Sequence, residues 1–355
     1  MDAPSEPFSR GAHGVPGQGK WVVTIPPIGA ARETALGAAR AFEQMGVECF
    51  CFDYGSSNRL FTQLMPGADE TTRMDVINQS LVVQALDHGS TAALITALTP
   101  VTLFSLNLMR RYGVRTIHWF FEDYRRADYW REVIRGYDLF CAIQRGEVQQ
   151  ACAAQGIPFA LLPQAAPPAP SPPPPWEERS VDVAFVGVPS SYRATVLEAL
   201  HREGLALVIA GDGWGAYHGP LDACIVHRGW CPPAVAAQVY ARARTGINLS
   251  FSQPSPARTD EQISPRVFEL AQQGVAVVTE EAGLLSECIG EMRVATFGCA
   301  AEAPLAVRAL LDSPRQTCAM VRHNLLQATR NHTYESRMRT LLAWYTQEGN
   351  HYSSR

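Results

Sequence analysis

An arginine and a glutamate stand three residues apart at the front of a short apolar-periodic run, Ser264-Pro-Arg-Val-Phe-Glu-Leu-Ala-Gln-Gln-Gly274. In a helix that spacing puts Arg266 and Glu269 on one face. Gly274 supplies a helix stop, and residues 275–278 follow as an apolar strand. Helix starts beyond the ends of parallel strands are where α/β sheets bind ligands, and their N–H groups favour phosphate. Arg266 would add charge-assisted bonds to a pyrophosphate, and Glu269 would accept from ribose hydroxyls. The plainer alternative is an ion pair on an ordinary surface helix.

Other polar residues cluster where further strands end. Gly187 precedes Ser190, Ser191 and Arg193, so backbone amides and a guanidinium could meet an anion there; a serine N-cap explains the same pattern. Gly211-Asp212-Gly213-Trp214 permits close backbone approach, with Trp214 as a wall for a base or sugar, or as a packed core residue. Asn248 and Ser250 close another strand and reach the same region, unless they are only turn residues. Glu261 and Glu269 satisfy an E-x7-E spacing, but Pro265 interrupts and a solvated Glu261 is the simpler expectation. In the first half, Ile117-His-Trp-Phe-Phe-Glu-Asp-Tyr124 runs from an apolar strand into acid. Asp123, or Glu122, could deprotonate or bind an acceptor hydroxyl, though acids there also cap helices. His118 is the second candidate base, set against a core histidine.

These residues need a scaffold, and the chain reads as two α/β halves. Strands are expected at residues 21–25, 47–52, 92–97, 116–121, 138–143 and 159–162, with helices at 33–45, 75–88 and 101–112. After the break the pattern restarts, with strands at 181–186, 206–210, 245–249 and 275–278. Helices are expected there at 191–201, 233–243 and 305–311, along with the Arg266 helix and two terminal ones. Such alternation argues for parallel sheets wrapped by helices. Between the halves lies a proline-dense run, 162–176, which excludes helix and central strand and predicts an extended, semi-rigid connector. A PxxP partner site is the alternative there.

The composition bounds the rest. The chain has 355 residues, enough for two cores, and at a net charge of −4 it lacks a broadly basic nucleic-acid surface. Nine cysteines lie mostly in apolar segments with no CxxC pair, which fits reduced thiols of a cytoplasmic protein. No ligand spacing supports zinc, and no segment has the apolar length of a membrane span. Residues 1–19 are expected to be a disordered lead-in, not a signal peptide. GxGxxG, Walker and HExxH motifs are absent, which disfavours a dinucleotide dehydrogenase.

Taken in order, the segments resemble the CgeB-like glycosyltransferases, named after a spore maturation protein. The carrying residues are His118-Trp-Phe-Phe-Glu-Asp123, Tyr137-Asp138, Asp182-Val-Ala-Phe-Val-Gly187 with Arg193, and Ala210-Gly-Asp-Gly-Trp214. They continue with Gly246-Ile-Asn-Leu249, Arg266-Val-Phe-Glu269 with Gly274, and His332-Thr-Tyr-Glu-Ser-Arg337. The resemblance covers residues 115–345 and implies a GT-B architecture: α/β, two Rossmann-like domains facing each other across a cleft. It divides the chain into an N-terminal acceptor domain (20–162), a linker (163–176), a C-terminal donor domain (177–331) and a closing helix returning to the first domain (332–355). It implies a nucleoside diphosphate sugar as donor, UDP-, GDP- or dTDP-linked, and no bound metal. Arg266 would contact the diphosphate and Glu269 the ribose, with Gly187, Arg193, Gly211, Asp212, Trp214 and Asn248 around them. The acceptor (protein, glycan, lipid or small molecule) stays open. The rival readings are a sugar-nucleotide epimerase or hydrolase, and a catalytically silent binding or scaffold protein.

Overall fold

The computed structural model describes residues 19–252 and 262–352. Most of the expected lead-in and Glu261 lie outside the described residues. The chain divides into two compact units. The first takes in the chain up to Ala142, then Glu147–Leu162, and again from Met338 onward; the second holds Ile143–Gly146 and Pro163–Arg337.

In the first unit β1 (Trp21–Ile25), α1 (Gly29–Gln44), β2 (Cys49–Asp53), α2 (Tyr54–Leu64), α3 (Glu70–Asp87) and β3 (Ala92–Thr96) come first. They are followed by α4 (Leu103–Arg111), β4 (Arg115–Phe120), α5 (Trp130–Val133), β5 (Leu139–Ala142), α6 (Glu147–Ala154) and β6 (Phe159–Leu161). The strands form one parallel sheet in the order β2-β1-β3-β4-β5-β6. β1 and β3 are buried along their whole length, which is why they read as continuous apolar runs and not as alternating ones.

The second unit runs β7 (Val181–Val186), α7 (Ser191–Arg202), β8 (Leu207–Ala210), β9 (Ile225–His227), α8 (Pro233–Ala241) and β10 (Ala243–Asn248). It continues with α9 (Arg266–Gln272), β11 (Ala276–Glu280), α10 (Leu285–Ile289), β12 (Ala295–Phe297), α11 (Ala303–Leu311) and α12 (Pro314–Asn331). Its sheet is also parallel, in the order β12-β11-β10-β7-β8-β9. The last helix, α13 (Tyr334–Tyr352), begins in the second unit and from Met338 belongs to the first. There Tyr345 packs 5.0 Å from Trp21, ring to ring, and its carbonyl accepts from Arg115 at 2.8 Å.

Both sheets reverse their winding next to their first strand, between β1 and β3 in one and between β7 and β10 in the other. A doubly wound sheet opens a crevice at the carboxyl ends of the strands at that point. The elements expected from the sequence are present, with six additions: α2, α5, α6, β9, α10 and β12, of which α5, α10 and β12 are only three to five residues long. α2, α6 and β9 carry little apolar signal: α2 buries only Tyr54 and Gly55, α6 only Val148 and Cys152, and β9 is three residues long.

Residues 162–175 of the proline run have neither helix nor strand, as expected, but the run is strapped to the second unit. Ala165 and Ala166 are buried. The buried Arg179 donates to the carbonyls of Pro174 (3.2 Å), Ala243 (2.7 Å) and Gly274 (2.8 Å). Gly274, at φ 59°, ends α9, and a Cβ there would come 2.6 Å from Pro173. Glycine is therefore required twice over, for the left-handed turn and for the passage of the strap.

Candidate functional site

At the switch point of the second unit the ends of β7, β8, β10 and β11 are knitted together by side chains. Ser190 caps α7, accepting from Arg193 N. The Arg193 guanidinium spans the switch point: Nη1 donates to Val188 O (2.8 Å), Nη2 to Leu249 O (2.8 Å) and Nε to Ser250 O (3.1 Å). In this arrangement Arg193 braces the two loops that leave β7 and β10. Gly211 passes so close to Gly187 that a Cβ on it would lie 2.2 Å from the Gly187 carbonyl oxygen. That carbonyl accepts from the Trp214 indole at 2.8 Å, and Trp214 is fully buried. Trp214 is thus a packed residue holding the loop, not a wall for a base. Asn248 is buried and donates to Thr279 Oγ1 at 2.9 Å, while Asp212 only closes its own turn on Gly213 N.

The sequence reading passed over Glu280, the last residue of β11. It is buried, its Oε2 accepts from Ser250 N at 2.6 Å, and its Oε1 has no hydrogen-bond partner. Burial raises its pKa, against the opposing pull of Ser250, Tyr192 and Arg193. An acid ending an apolar strand was the available signal, the same one that drew attention to Asp123.

Arg266 and Glu269 come together as the spacing predicts, and with a third partner. Arg266 Nη1 lies 3.1 Å from Glu269 Oε2 and donates to the Tyr240 hydroxyl at 2.6 Å. Their side chains are 25% and 30% exposed, so both are reachable yet partly desolvated. Burial pulls the guanidinium pKa down, but Glu269 and Tyr240 more than offset this and hold it above its ordinary value. Burial raises Tyr240 too, so its hydroxyl stays protonated. Cys231, in the loop after β9, belongs to the same electrostatic neighbourhood.

The expectation of open amides at the start of α9 does not hold. Arg266 N donates to Ser264 Oγ (3.2 Å), Val267 N to Ser264 O (3.2 Å), and the amides of Phe268 and Glu269 to Pro265 O. The serine and proline before the helix turn back and use up its first-turn donors. An anion here would meet the Arg266 side chain and not the backbone.

In the first unit the two candidate bases are otherwise engaged. His118 is fully buried in β4, stacked on Tyr137 at 4.7 Å, with Nδ1 donating to Ile95 O at 2.8 Å. Burial pushes its pKa down to about 3. It is a neutral core histidine with no exposed face from which to take a proton. Asp123 is held by Arg125, which reaches it through Nε (2.7 Å), Nη2 (2.6 Å) and its amide (3.0 Å). Its neighbour Glu122 is half-buried, and burial raises its carboxyl pKa, opposed by Arg126. That is the direction a general base requires.

Among the described residues no group of three or more His, Cys, Asp or Glu side chains is placed to hold a metal, and no helix is long and apolar enough to cross a membrane. All nine cysteines are free thiols.

A family model described as "Glycosyl transferase-like" matches residues 193–343, a stretch that runs from Arg193 through Arg266, Glu269 and Arg337. No curated protein matches the chain in sequence. Solved structures resemble it over nearly its whole length. HepE of Anabaena, determined with UDP and glucose, is 12% identical with a TM-score of 0.62, covering 93% of this chain and 100% of that one. A glycosyltransferase of Rickettsia africae is 11% identical with a TM-score of 0.64, covering 93% and 98%. The sucrose-phosphate synthase of Thermosynechococcus elongatus is 10% identical with a TM-score of 0.63, covering 93% and 99%. The two parallel six-stranded units therefore have the fold of GT-B glycosyltransferases.

Proposed function

We propose that this chain is a CgeB-like glycosyltransferase, a hexosyltransferase that draws its sugar from a UDP-linked donor held by the second unit. The observation that carries the reading is the Arg266–Glu269–Tyr240 cluster, inside the stretch matched by the glycosyl transferase-like model. It offers a permanent cation for a diphosphate, a carboxylate for paired ribose hydroxyls, and a buried phenol that fixes the guanidinium in place. Uridine is favoured over other bases because HepE, of like fold, was solved with UDP and with UDP-glucose.

In the reaction, negative charge builds on the departing diphosphate. A largely desolvated guanidinium already aimed by Tyr240 stabilises that charge without reorganising. We infer that Arg266 does this without a bound metal. Should transfer need a base, the half-buried Glu122, whose carboxyl burial makes more basic, is the candidate left once Asp123 is paired and His118 buried. The free thiols, with Cys141, Cys152 and Cys288 buried, support a reducing, cytoplasmic setting.

A titration of the protein with UDP, GDP and dTDP, with and without magnesium, tests the donor. Selective UDP binding that survives a chelator is expected; preference for another base, or dependence on the metal, would overturn that part. Release of UDP from UDP-sugars, followed against an acceptor panel, tests transfer. A silent sugar-nucleotide binder is the second reading, favoured by the engagement of both Asp123 and His118, and it predicts UDP binding with no turnover.

A further inference from the structure

The segment His332-Thr-Tyr-Glu-Ser-Arg337 stands out in the sequence, yet no donor or acceptor role has used it. Arg337 is buried, and each arm of its fork has a partner. Nε donates to Pro163 O at 2.9 Å and Gln164 O at 3.3 Å, Nη1 to Asn331 O at 3.0 Å, and Nη2 to His332 Nδ1 at 3.0 Å. Accepting at Nδ1 places the His332 proton on Nε2, which donates to Ile289 O, the last residue of α10, at 3.1 Å. The His332 carbonyl in turn accepts from Ala166 N at 3.2 Å.

These bonds fall where the chain passes between its two units. One passage lies between Leu162 and Pro163 and another between Arg337 and Met338. A single side chain, Arg337, thus ties the second-unit end of one passage to the second-unit end of the other. A third place is gripped nearby: Arg145, in the short excursion Ile143–Gly146, forms a bidentate pair with Glu287 of α10 at 2.7 and 2.6 Å.

The link to the donor cluster is Phe268. It is fully buried on α9, between Arg266 and Glu269 in sequence. Its ring stacks on His332 with centroids 4.4 Å apart and planes 14° from parallel, and the Arg337 guanidinium lies over the same ring at 5.4 Å. Stacking and cation–π contact hold a ring to a plane, so a shift of α9 must move His332 and Arg337 with it.

We propose that Phe268, His332 and Arg337 are a positioning clamp that couples occupancy of the Arg266–Glu269 cluster to the chain passages between the units. The clamp touches no substrate. It rests on the donor reading above, and it deepens that reading by giving the His332–Arg337 segment a task. A buried guanidinium spent on carbonyls and an imidazole is a costly way to hold two strands of chain. Its planar fork is what allows one residue to hold both, and a lysine would keep the charge but lose the geometry.

The test uses Arg337→Lys and the milder Phe268→Leu in the full chain, with UDP as the probe. Hydrogen exchange reads the coupling directly. In the wild type, UDP should slow exchange at the amides of Gln164 and Ala166 and across residues 333–338, all away from the donor cluster. Both variants should lose that protection while binding UDP within about twofold of wild type, and turnover should fall about ten- to a hundredfold. A merely structural role would lower thermal stability alone, leaving the remote protection and the turnover of folded enzyme unchanged. That result in Phe268→Leu overturns the clamp even if Arg337→Lys fails to fold. UDP binding to wild type without remote protection also overturns it, and leaves the donor reading standing. No UDP binding at all removes the donor reading and the clamp with it.

Discussion

Replacing Arg266 with methionine separates charge from shape at the centre of the donor cluster. The substitution keeps a long apolar stem and removes the guanidinium that bonds Tyr240 at 2.6 Å and Glu269 at 3.1 Å. With a quarter of the side chain exposed, the arginine is desolvated enough for a charged hydrogen bond to keep its ordinary strength, about 1.5–3 kcal/mol. That corresponds to a loss of about ten- to 150-fold in affinity for a diphosphate. The loss should fall on UDP, be smaller for UMP, and spare uridine. Calorimetric titration of the three ligands against the variant measures the difference. A second effect must be kept apart: the buried Tyr240 hydroxyl loses its partner, at a cost to stability of about 1–3 kcal/mol. Titration well below the variant's Tm removes that contribution. Tyr240→Phe is the control, since it frees the guanidinium without removing it and should weaken UDP binding only a fewfold. Equal losses for UDP and uridine, or unchanged UDP binding, would refute a diphosphate role for Arg266.

Glu269→Ala should show the opposite selectivity, weakening uridine and UDP alike because the ribose is common to both; a loss confined to UDP would contradict the ribose contact. Glu122→Gln should lower turnover by about a hundredfold or more if a base is required, whereas Asp123→Asn should mainly loosen the Arg125 loop. The reverse ranking would return the base to Asp123. Acid stability offers a test of the clamp histidine. Burial, with Arg337 beside it, lowers His332 to about 4 from an ordinary 6.5. Between those values the unfolded chain holds a proton that the folded chain does not, so stability is complete above about pH 6.5 and falls as pH drops toward 4. The loss amounts to about 3 kcal/mol by pH 4. Denaturant unfolding of wild type and His332→Gln across that range should give curves that converge in acid. Parallel curves would mean that His332 titrates normally.

The two parallel α/β units were legible because burial on both faces forces strands to be continuous apolar runs, as in β1, β3 and β11. Arg266 and Glu269 were legible as a pair because helical spacing is local: three residues on a helix settle which side chains share a face, whatever the rest of the fold does. Glycine punctuation was legible for the same reason, with Gly274 stopping α9 at φ 59°.

Everything that depends on which strand lies beside which was decided only in three dimensions. The winding order brings β7 against β10, so Arg193 meets the carbonyls of Leu249 and Ser250, more than fifty residues away. A residue that looks like an anion ligand in the sequence becomes a loop brace. Pairing of β8 with β7 hides Trp214 under Gly187, and pairing of β11 with β10 sets Glu280 beside Ser250. Tyr240 reaches Arg266, and Phe268 reaches His332, through helix packing that leaves no periodic trace. Local rules fix a side chain's face, but a buried polar atom takes whatever partner the tertiary fold brings within three ångströms, and that partner has no preferred distance along the chain.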